Sequence, residues 1–200
     1  MGGLGMIAAC AGAAHAQSTD QQANCAEVIG TKIPLKLTYQ NGFATTVVER
    51  KGREIRSEMI APSGAKTTFV TYGGLFNLRI VTPGGEVIDY KWDRDVTQFF
   101  PLKVGEHITA AATMNVKSGS LNSFSTELTV VASESYRIEA CDYPVLKIEF
   151  HNRFSQAPNE GDGIRYYHAA SMLMLKWVST TSAFAGFPQH TAEERVVKLE

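Results

Sequence analysis

The feature that most constrains the fold is an alternation of apolar and polar residues, with a period of two, that runs through most of the chain after residue 32. Successive side chains of a β-strand point to opposite faces, so this pattern predicts strands with one buried face. Turn residues interrupt it roughly every 8 to 12 residues. Asn41-Gly42 is the strongest hairpin signal, because both positions tolerate positive φ. The sequence therefore predicts an all-β antiparallel meander of about ten to twelve strands, forming a curved sheet, an open barrel or a sandwich.

The phase of the alternation can be tested in two predicted strands, because a slip of one residue would invert each of them. The residues expected on the buried side are Phe76, Leu78, Ile80, Tyr136 and Ile138. The residues expected to face solvent are Asn77, Arg79, Arg137 and Glu139.

Three segments near the C-terminus are interpreted separately. Residues 155–163 combine Gln, Pro, Asn, Glu, Asp and two glycines, which indicates an exposed loop. Residues 166–178 contain a continuous apolar run that fits a buried strand or a helix, and we favour a pair of strands because aromatic residues flank the run. A last strand is predicted over residues 194–199.

The N-terminal residues 1–16 predict a compartment. They contain no Asp, Glu, Lys or Arg, and Ala14-His15-Ala16 has the small residues that a signal peptidase recognises, so we interpret 1–16 as the remnant of a secretory signal. Residues 17–32 then form a leader that contains Cys25, and 33–200 form a single β domain. Ile7-Ala8-Ala9-Cys10 loosely resembles a lipobox and gives the alternative of a lipoprotein anchored through Cys10. We expect a periplasmic or secreted protein.

Two cysteines remain after such cleavage, Cys25 and Cys141. In an oxidising compartment the simplest arrangement is a disulfide between them, with two free thiols or a metal site as the alternatives. A zinc site is disfavoured because neither cysteine has a CxxC partner or a neighbouring histidine cluster. The disulfide would close a long loop and stabilise the fold by up to about 4 to 5 kcal/mol.

Charge disfavours nucleic acid as a partner, and hydropathy disfavours a transmembrane helix. The chain has 19 basic and 20 acidic residues, well mixed, whereas nucleic-acid binding favours a basic stripe. No run of eighteen apolar residues occurs, so we expect no transmembrane span. The sequence says nothing about the oligomeric state.

Residue types that carry chemistry do not stand in recognised spacings. Asp93 and Asp95 flank Arg94, which we expect to neutralise both carboxylates at a solvated strand end. The serines lie in no GxSxG or SxxK motif. We expect no metal and no cofactor, because the histidines after the signal are far apart and form no HExxH or HxH motif: His107, His151, His168 and His190.

Aromatic residues are the best candidates for a binding surface, because six of them fall on the apolar phase of their strands. If the sheet curves, they line one concave face that could hold a small hydrophobic molecule or a lipid, although aromatic residues also fill ordinary cores. The six are Tyr39, Phe76, Tyr90, Trp92, Tyr136 and Phe150.

A partial resemblance supports the export prediction. Residues 99–105, Phe-Phe-Pro-Leu-Lys-Val-Gly, are similar to a motif of uncharacterised exported β-rich proteins of proteobacteria. Tyr166-Tyr167 and Leu175-Lys176-Trp177 resemble the flanks of a second motif near the C-terminus of those proteins, but Ala169-Ala170-Ser171 departs from its central turn. The resemblance covers about a quarter of the chain, implies a strand, a turn and a strand at the C-terminal end, and supplies no activity.

Two functions are consistent with these observations. We favour an exported, non-catalytic protein that acts as a binding or envelope-structure module and holds a hydrophobic ligand on a concave β face. The alternative is a periplasmic hydrolase whose site is assembled from residues on scattered strands, which motif analysis would not detect. A dry apolar cavity would support the first function, and a polar cleft with convergent titratable groups the second.

Overall fold

The computed structural model of the protein describes Cys25, Ile29, Gly30 and residues 33–116, 121–155, 157–181 and 189–200. The order of elements in this part is twelve strands and one turn of 3-10 helix, Val96–Phe99, between the sixth and seventh strands. The strands are β1 Leu35–Tyr39, β2 Ala44–Lys51, β3 Glu54–Ile60, β4 Lys66–Tyr72, β5 Phe76–Val81, β6 Val87–Trp92, β7 His107–Val116, β8 Leu121–Ile138, β9 Cys141–Phe154, β10 Ala157–His168, β11 Leu173–Thr181 and β12 His190–Leu199.

The sheet is a closed antiparallel barrel in which each strand pairs with its neighbours in sequence. β1 closes the ring by pairing with β12, where Leu37 lies opposite Leu199 and Tyr39 opposite Val196. The backbones of Lys36 and Glu200 exchange two N–H···O bonds, each 2.9 Å long. Closure leaves no unpaired sheet edge, which removes the main route by which strands aggregate. The prediction of an all-β antiparallel meander is confirmed, and the barrel is closed rather than open.

The up-and-down order places alternate turns at opposite ends of the barrel. The turns that follow β2, β4, β6, β8 and β10 share one end, which we call the disulfide end because Cys141 begins β9 there. Cys25 is bonded to Cys141 with their Cα atoms 5.7 Å apart and a separation of 116 positions in sequence. This is the predicted disulfide. It fixes a segment that precedes β1 against the β8–β9 turn, and both Cys25 and Ile29 are buried.

The predicted phase is correct in β8 and partly correct in β5. Ile138 is buried and Arg137 and Glu139 are exposed, as expected, with Tyr136 half-buried. In β5 Phe76 is fully buried and Arg79 is exposed, but Leu78, Ile80 and Asn77 are all half-buried. The reason is a β-bulge: Val70 pairs with Arg79 and Thr71 with Asn77, so Leu78 has no opposite residue and the alternation shifts.

The C-terminal segments correct one expectation. The predicted loop at 155–163 is wrong, because β10 begins at Ala157 and pairs with β9. Gly163 is part of this strand rather than of a loop, because a Cβ there would be 2.0 Å from the carbonyl oxygen of Val178 and only glycine allows this approach. The apolar run over 166–178 forms the end of β10, a turn and the start of β11, as the strand-pair prediction requires.

Candidate ligand site inside the barrel

A cavity of about 510 Å³, called here the main cavity, lies in the described part of the barrel. Its wall comes from β1–β5 and β10–β12, eight consecutive strands around the ring, so the space is inside the barrel. It extends from Phe43 in the β1–β2 turn to Gly74 in the β4–β5 turn, and therefore between the two ends. Its volume lies within the range of about 300 to 1,000 Å³ that is typical of small-molecule sites.

Strand alternation explains which side chains form the wall. Ile55, Ser57 and Met59 of β3 line the main cavity, whereas the charged residues between them do not. The register extends this face to β4, where Phe69 lies opposite Ser57 and Thr71 opposite Ile55. The wall is mainly apolar and also includes Leu37, Leu75, Leu173 and Met174.

Two turns from opposite sides of the barrel meet at the disulfide end of the main cavity. A Cβ on Gly74 would lie 1.9 Å from the carbonyl oxygen of Met172, so the β4–β5 and β10–β11 turns touch through their backbones. The Tyr167 hydroxyl donates a 2.7 Å hydrogen bond to the carbonyl of Gly73, which holds the two turns together. Both Gly74 and Met172 line the cavity, so this contact closes it at that end.

Arg165 of β10 projects into the main cavity. Its guanidinium carbon lies 4.3 Å from the centre of the Phe150 ring, a cation–π contact. Burial lowers the pKa of the guanidinium to about 10, which still leaves it a cation at neutral pH. Among the residues that the structure describes, no carboxylate lies within ion-pair distance of Arg165 and no acceptor is hydrogen-bonded to it.

Glu194 of β12 is a carboxylate in the same cavity wall, so its distance from Arg165 matters. Trp177 lies between them, since it pairs with Arg165 on one side and with Glu194 on the other. Two strand spacings, about 10 Å, therefore separate the two backbones. Burial raises the pKa of Glu194, although a hydrogen bond with the Asn41 side chain opposes this shift. Tyr39 packs edge-on against Trp177 with ring centres 5.4 Å apart, and burial raises the pKa of its hydroxyl to about 12.

A second cavity, of about 300 Å³, adjoins the main cavity because Arg165 and Trp177 line both. Phe150 and Asn152 of β9 contribute to its wall. The side-chain oxygen of Asn152 is buried and has no hydrogen-bond partner. Thr126 lies directly opposite Asn152 on β8, and its hydroxyl is also buried without a partner. This part of the interior therefore has polar groups available for a bound molecule.

The six aromatic residues predicted to face a ligand occupy different places. Tyr39 lines the main cavity and Phe150 the second cavity. Phe76 and Trp92 pack against each other, with ring centres 5.2 Å apart, in an aromatic cluster that also contains Phe99 and Phe100. Tyr90 stacks on Trp92, and Tyr136 packs against Tyr166.

The carboxylates considered as candidate catalytic groups bind the backbone. Asp93 accepts a hydrogen bond from the N–H of Ala111, and Asp95 accepts one from the N–H of Thr97 at the start of the 3-10 turn. Among the described residues no ion pair joins Arg94 to Asp93 or Asp95, so the expected neutralisation is not found. His151 contacts Asp162 on the neighbouring strand, and His107 lies 3.0 Å from the Thr129 hydroxyl.

One serine and one histidine do come together, in the β10–β11 turn. Nδ1 of His168 lies 2.7 Å from the hydroxyl oxygen of Ser171. Both side chains are buried, and Ser171 has no exposed surface. The Ser171 backbone N–H donates to the same Nδ1, and its hydroxyl also reaches the carbonyl of His168 at 3.5 Å. The pair therefore holds a tight turn, in which Met172 has a φ of 57°.

Sequence reasoning missed Arg165, although a signal was available. In Gly163-Ile164-Arg165-Tyr166-Tyr167 the odd-numbered residues share one face, and Tyr167 is buried. On that face Arg165 stands between a glycine and a buried tyrosine. This position indicates a charged side chain inside the barrel. The predicted loop over 155–163 interrupts the alternation, so the sequence analysis does not extend the phase to Arg165.

Comparisons with known proteins give likenesses of overall architecture. No protein-family model matches the chain, and no curated protein does. The hypothetical lipoprotein YmcC of Escherichia coli K12 is similar, with 13% identity and a TM-score of 0.47 over 92% of this chain and 98% of YmcC. A proposed exported protein of Bacteroides fragilis with a YmcC-like fold has 9% identity and a TM-score of 0.43, over 86% of this chain and 97% of its own. A proposed lipoprotein of Parabacteroides distasonis has 8% identity and a TM-score of 0.38, over 83% and 92%.

Likenesses of this degree leave the function to be argued from the residues of this chain. One further observation concerns membranes. Within the described ranges, no helix has the length and apolar character needed to cross a bilayer.

Proposed function

We propose that this chain is an exported, non-catalytic binding protein that holds a hydrophobic ligand inside its barrel. The observation that carries the proposal is the main cavity, which extends between the two ends and has a mainly apolar wall. Cores normally pack to a density that leaves few voids larger than a water molecule. A space of about 510 Å³ inside a closed barrel is therefore better suited to a ligand than to packing alone.

The disulfide supports the location. A bond between Cys25 and Cys141 is stable in oxidising compartments and rare in the cytosol. It agrees with the interpretation of residues 1–16 as a signal remnant, a segment that lies outside the described residues. Lipidation of Cys10 remains the alternative form of export, and the intact mass of the protein recovered from the envelope distinguishes the two.

A cavity-filling substitution tests the binding function. Ser57 lines the main cavity, so Ser57→Phe places a ring in the ligand space, whereas Ser135→Phe adds the same ring to an exposed position on β8. We expect the neutral fluorophore N-phenyl-1-naphthylamine to bind the wild type and Ser135→Phe equally, and Ser57→Phe at least tenfold more weakly. Native mass spectrometry of the wild type from the periplasm should detect a co-purified lipid. No binding by the delipidated, folded wild type, or equal binding by both variants, would contradict the proposal.

A further inference from the structure

Arg165 is a half-buried positive charge in a mainly apolar cavity wall, and no carboxylate among the described residues balances it. Burying an ionised group costs several kcal/mol unless it is paired and hydrogen-bonded. The Phe150 ring stabilises the guanidinium and fixes its position, but a ring face leaves the in-plane N–H donors unused. A fold that needed only to fill this position would gain stability from an apolar residue.

Glu194 does not supply the missing charge. It belongs to the same cavity wall but lies two strands away, behind Trp177, and the side chain of Asn41 binds it. A ligand anion next to Arg165 is therefore separated from Glu194 by the indole of Trp177. The distribution of charge gives the cavity a polarity, with the cation on β10 and the carboxylate on β12.

We propose that Arg165 is the counter-ion for a ligand with one anionic head group and an unbranched apolar chain, such as a long-chain carboxylate. This inference rests on the proposed function. The guanidinium presents paired N–H donors that match a carboxylate or a phosphate monoester in a bidentate manner. The amide of Asn152 lies in the same wall of the second cavity, and by rotation it offers NH₂ to the head group.

The apolar chain of this ligand lies in the main cavity. β3 and β4 are on the side of the ring opposite β10, and they present Ile55, Met59 and Phe69 to the space that Arg165 enters. The head group thus lies where the two cavities meet, and the chain extends across the barrel. A neutral amphiphile of the same length gains the apolar contacts but leaves the guanidinium unpaired.

The experiment compares four ligands on three proteins. Delipidated wild type, Arg165→Met and Arg195→Met are titrated calorimetrically with dodecanoate, dodecyl phosphate, dodecanol and the short carboxylate butanoate. Arg195 is the matched control, because it is an exposed arginine on β12. Charge-assisted hydrogen bonds predict that wild type and Arg195→Met bind dodecanoate about 10- to 100-fold more tightly than dodecanol. In Arg165→Met that preference disappears, while dodecanol binds at least as tightly as before. Butanoate binds weakly to all three, because it lacks the chain.

Thermal unfolding provides a second test of the role of Arg165 that does not depend on measuring affinity. Removal of this half-buried, unpaired charge raises the Tm of ligand-free Arg165→Met above that of the wild type, whereas Arg195→Met stays within about 1 °C of the wild type. Dodecanoate raises the Tm of the wild type but not of Arg165→Met. Tighter binding of dodecyl phosphate than of dodecanoate supports the role of Arg165 and identifies the head as a phosphate.

Two failures are distinguishable. If the wild type binds dodecanol as tightly as dodecanoate, or Arg165→Met keeps the preference for the anion, the role of Arg165 is wrong and the proposed binding function stands. If neither dodecanol nor dodecanoate nor the neutral fluorophore binds, the binding function itself is wrong.

Discussion

The disulfide end and the middle of the barrel bury aromatic side chains in different ways. At the disulfide end, Phe76 contacts Trp92, Phe99 and Phe100 and has no exposed surface. In the middle, at the centre of β4, Phe69 faces a space of about 510 Å³. The difference shows that the fold separates stability from an open interior. The packed end, with its disulfide, holds the ring of strands in place, while the side chains in the middle surround a cavity.

Truncation of one phenylalanine in each region should give the largest effect. Phe76→Ala removes a fully buried ring and leaves a cavity among aromatic neighbours, so we expect the free energy of unfolding to fall by about 3 to 5 kcal/mol. Phe69→Ala removes a half-buried ring that borders the main cavity and has fewer packed neighbours, and should cost about 1 to 2 kcal/mol. Urea unfolding of both variants measures the difference. Similar losses would mean that the two regions are packed alike.

The contrast also explains what the sequence could and could not predict. Period-two alternation and turn residues specify local strands, and they gave the meander and the turn between β10 and β11. Closure depends on pairing β1 with β12, whose partners Leu37 and Leu199 lie at the two ends of the sequence of the domain. No local pattern encodes that pairing. The bulge at Leu78 similarly depends on how β5 pairs with β4, which the local alternation does not specify.

The candidate site is harder to predict from the sequence than the fold is. Aromatic phase does not distinguish Tyr39 and Phe150, which line the cavities, from the fully buried Phe76, since all three occupy the apolar phase of their strands. Whether an inward ring meets a neighbour or an empty space depends on contacts between distant strands. Arg165 is different. Once β10 is assigned as a strand, the alternation places this charged residue on the same inward face as the buried Tyr167.

A glycine pair tests how the disulfide end closes the main cavity. Gly74 and Gly85 both have positive φ, 70° and 80°, but only a Cβ on Gly74 would collide with backbone, at 1.9 Å from the Met172 carbonyl oxygen. Gly85→Ala should therefore cost about 1 to 2 kcal/mol for its backbone conformation alone. Gly74→Ala adds the collision, and we expect a total loss of about 2 to 4 kcal/mol together with weaker fluorophore binding. Equal losses in chemical denaturation would indicate that the two turns do not form a rigid contact.

The smallest expected effect concerns pH, and it comes from His168 in the β10–β11 turn. Burial, followed by the positive charge of Arg50, lowers the pKa of this imidazole below its usual value near 6.5. The folded protein therefore holds His168 neutral under conditions in which the unfolded chain binds a proton. Stability is unaffected above the unfolded pKa and falls as the pH decreases below about 6.5 toward the lowered folded pKa. One proton limits the slope to about 1.4 kcal/mol per pH unit.

His168→Gln removes this titration, and its amide can still bond to Ser171. We expect the wild type to lose more stability than His168→Gln between pH 7 and pH 5.5, measured by urea unfolding at both values. His107→Gln, on the exposed surface of β7, serves as the control for the loss of a histidine. The difference between wild type and His168→Gln should reflect the disulfide end alone, because the described wall of the main cavity contains no histidine. Fluorophore affinity corrected for the folded fraction should then stay the same at both pH values in His168→Gln. If His168→Gln loses as much stability as the wild type on acidification, the buried imidazole does not set the acid sensitivity of that end.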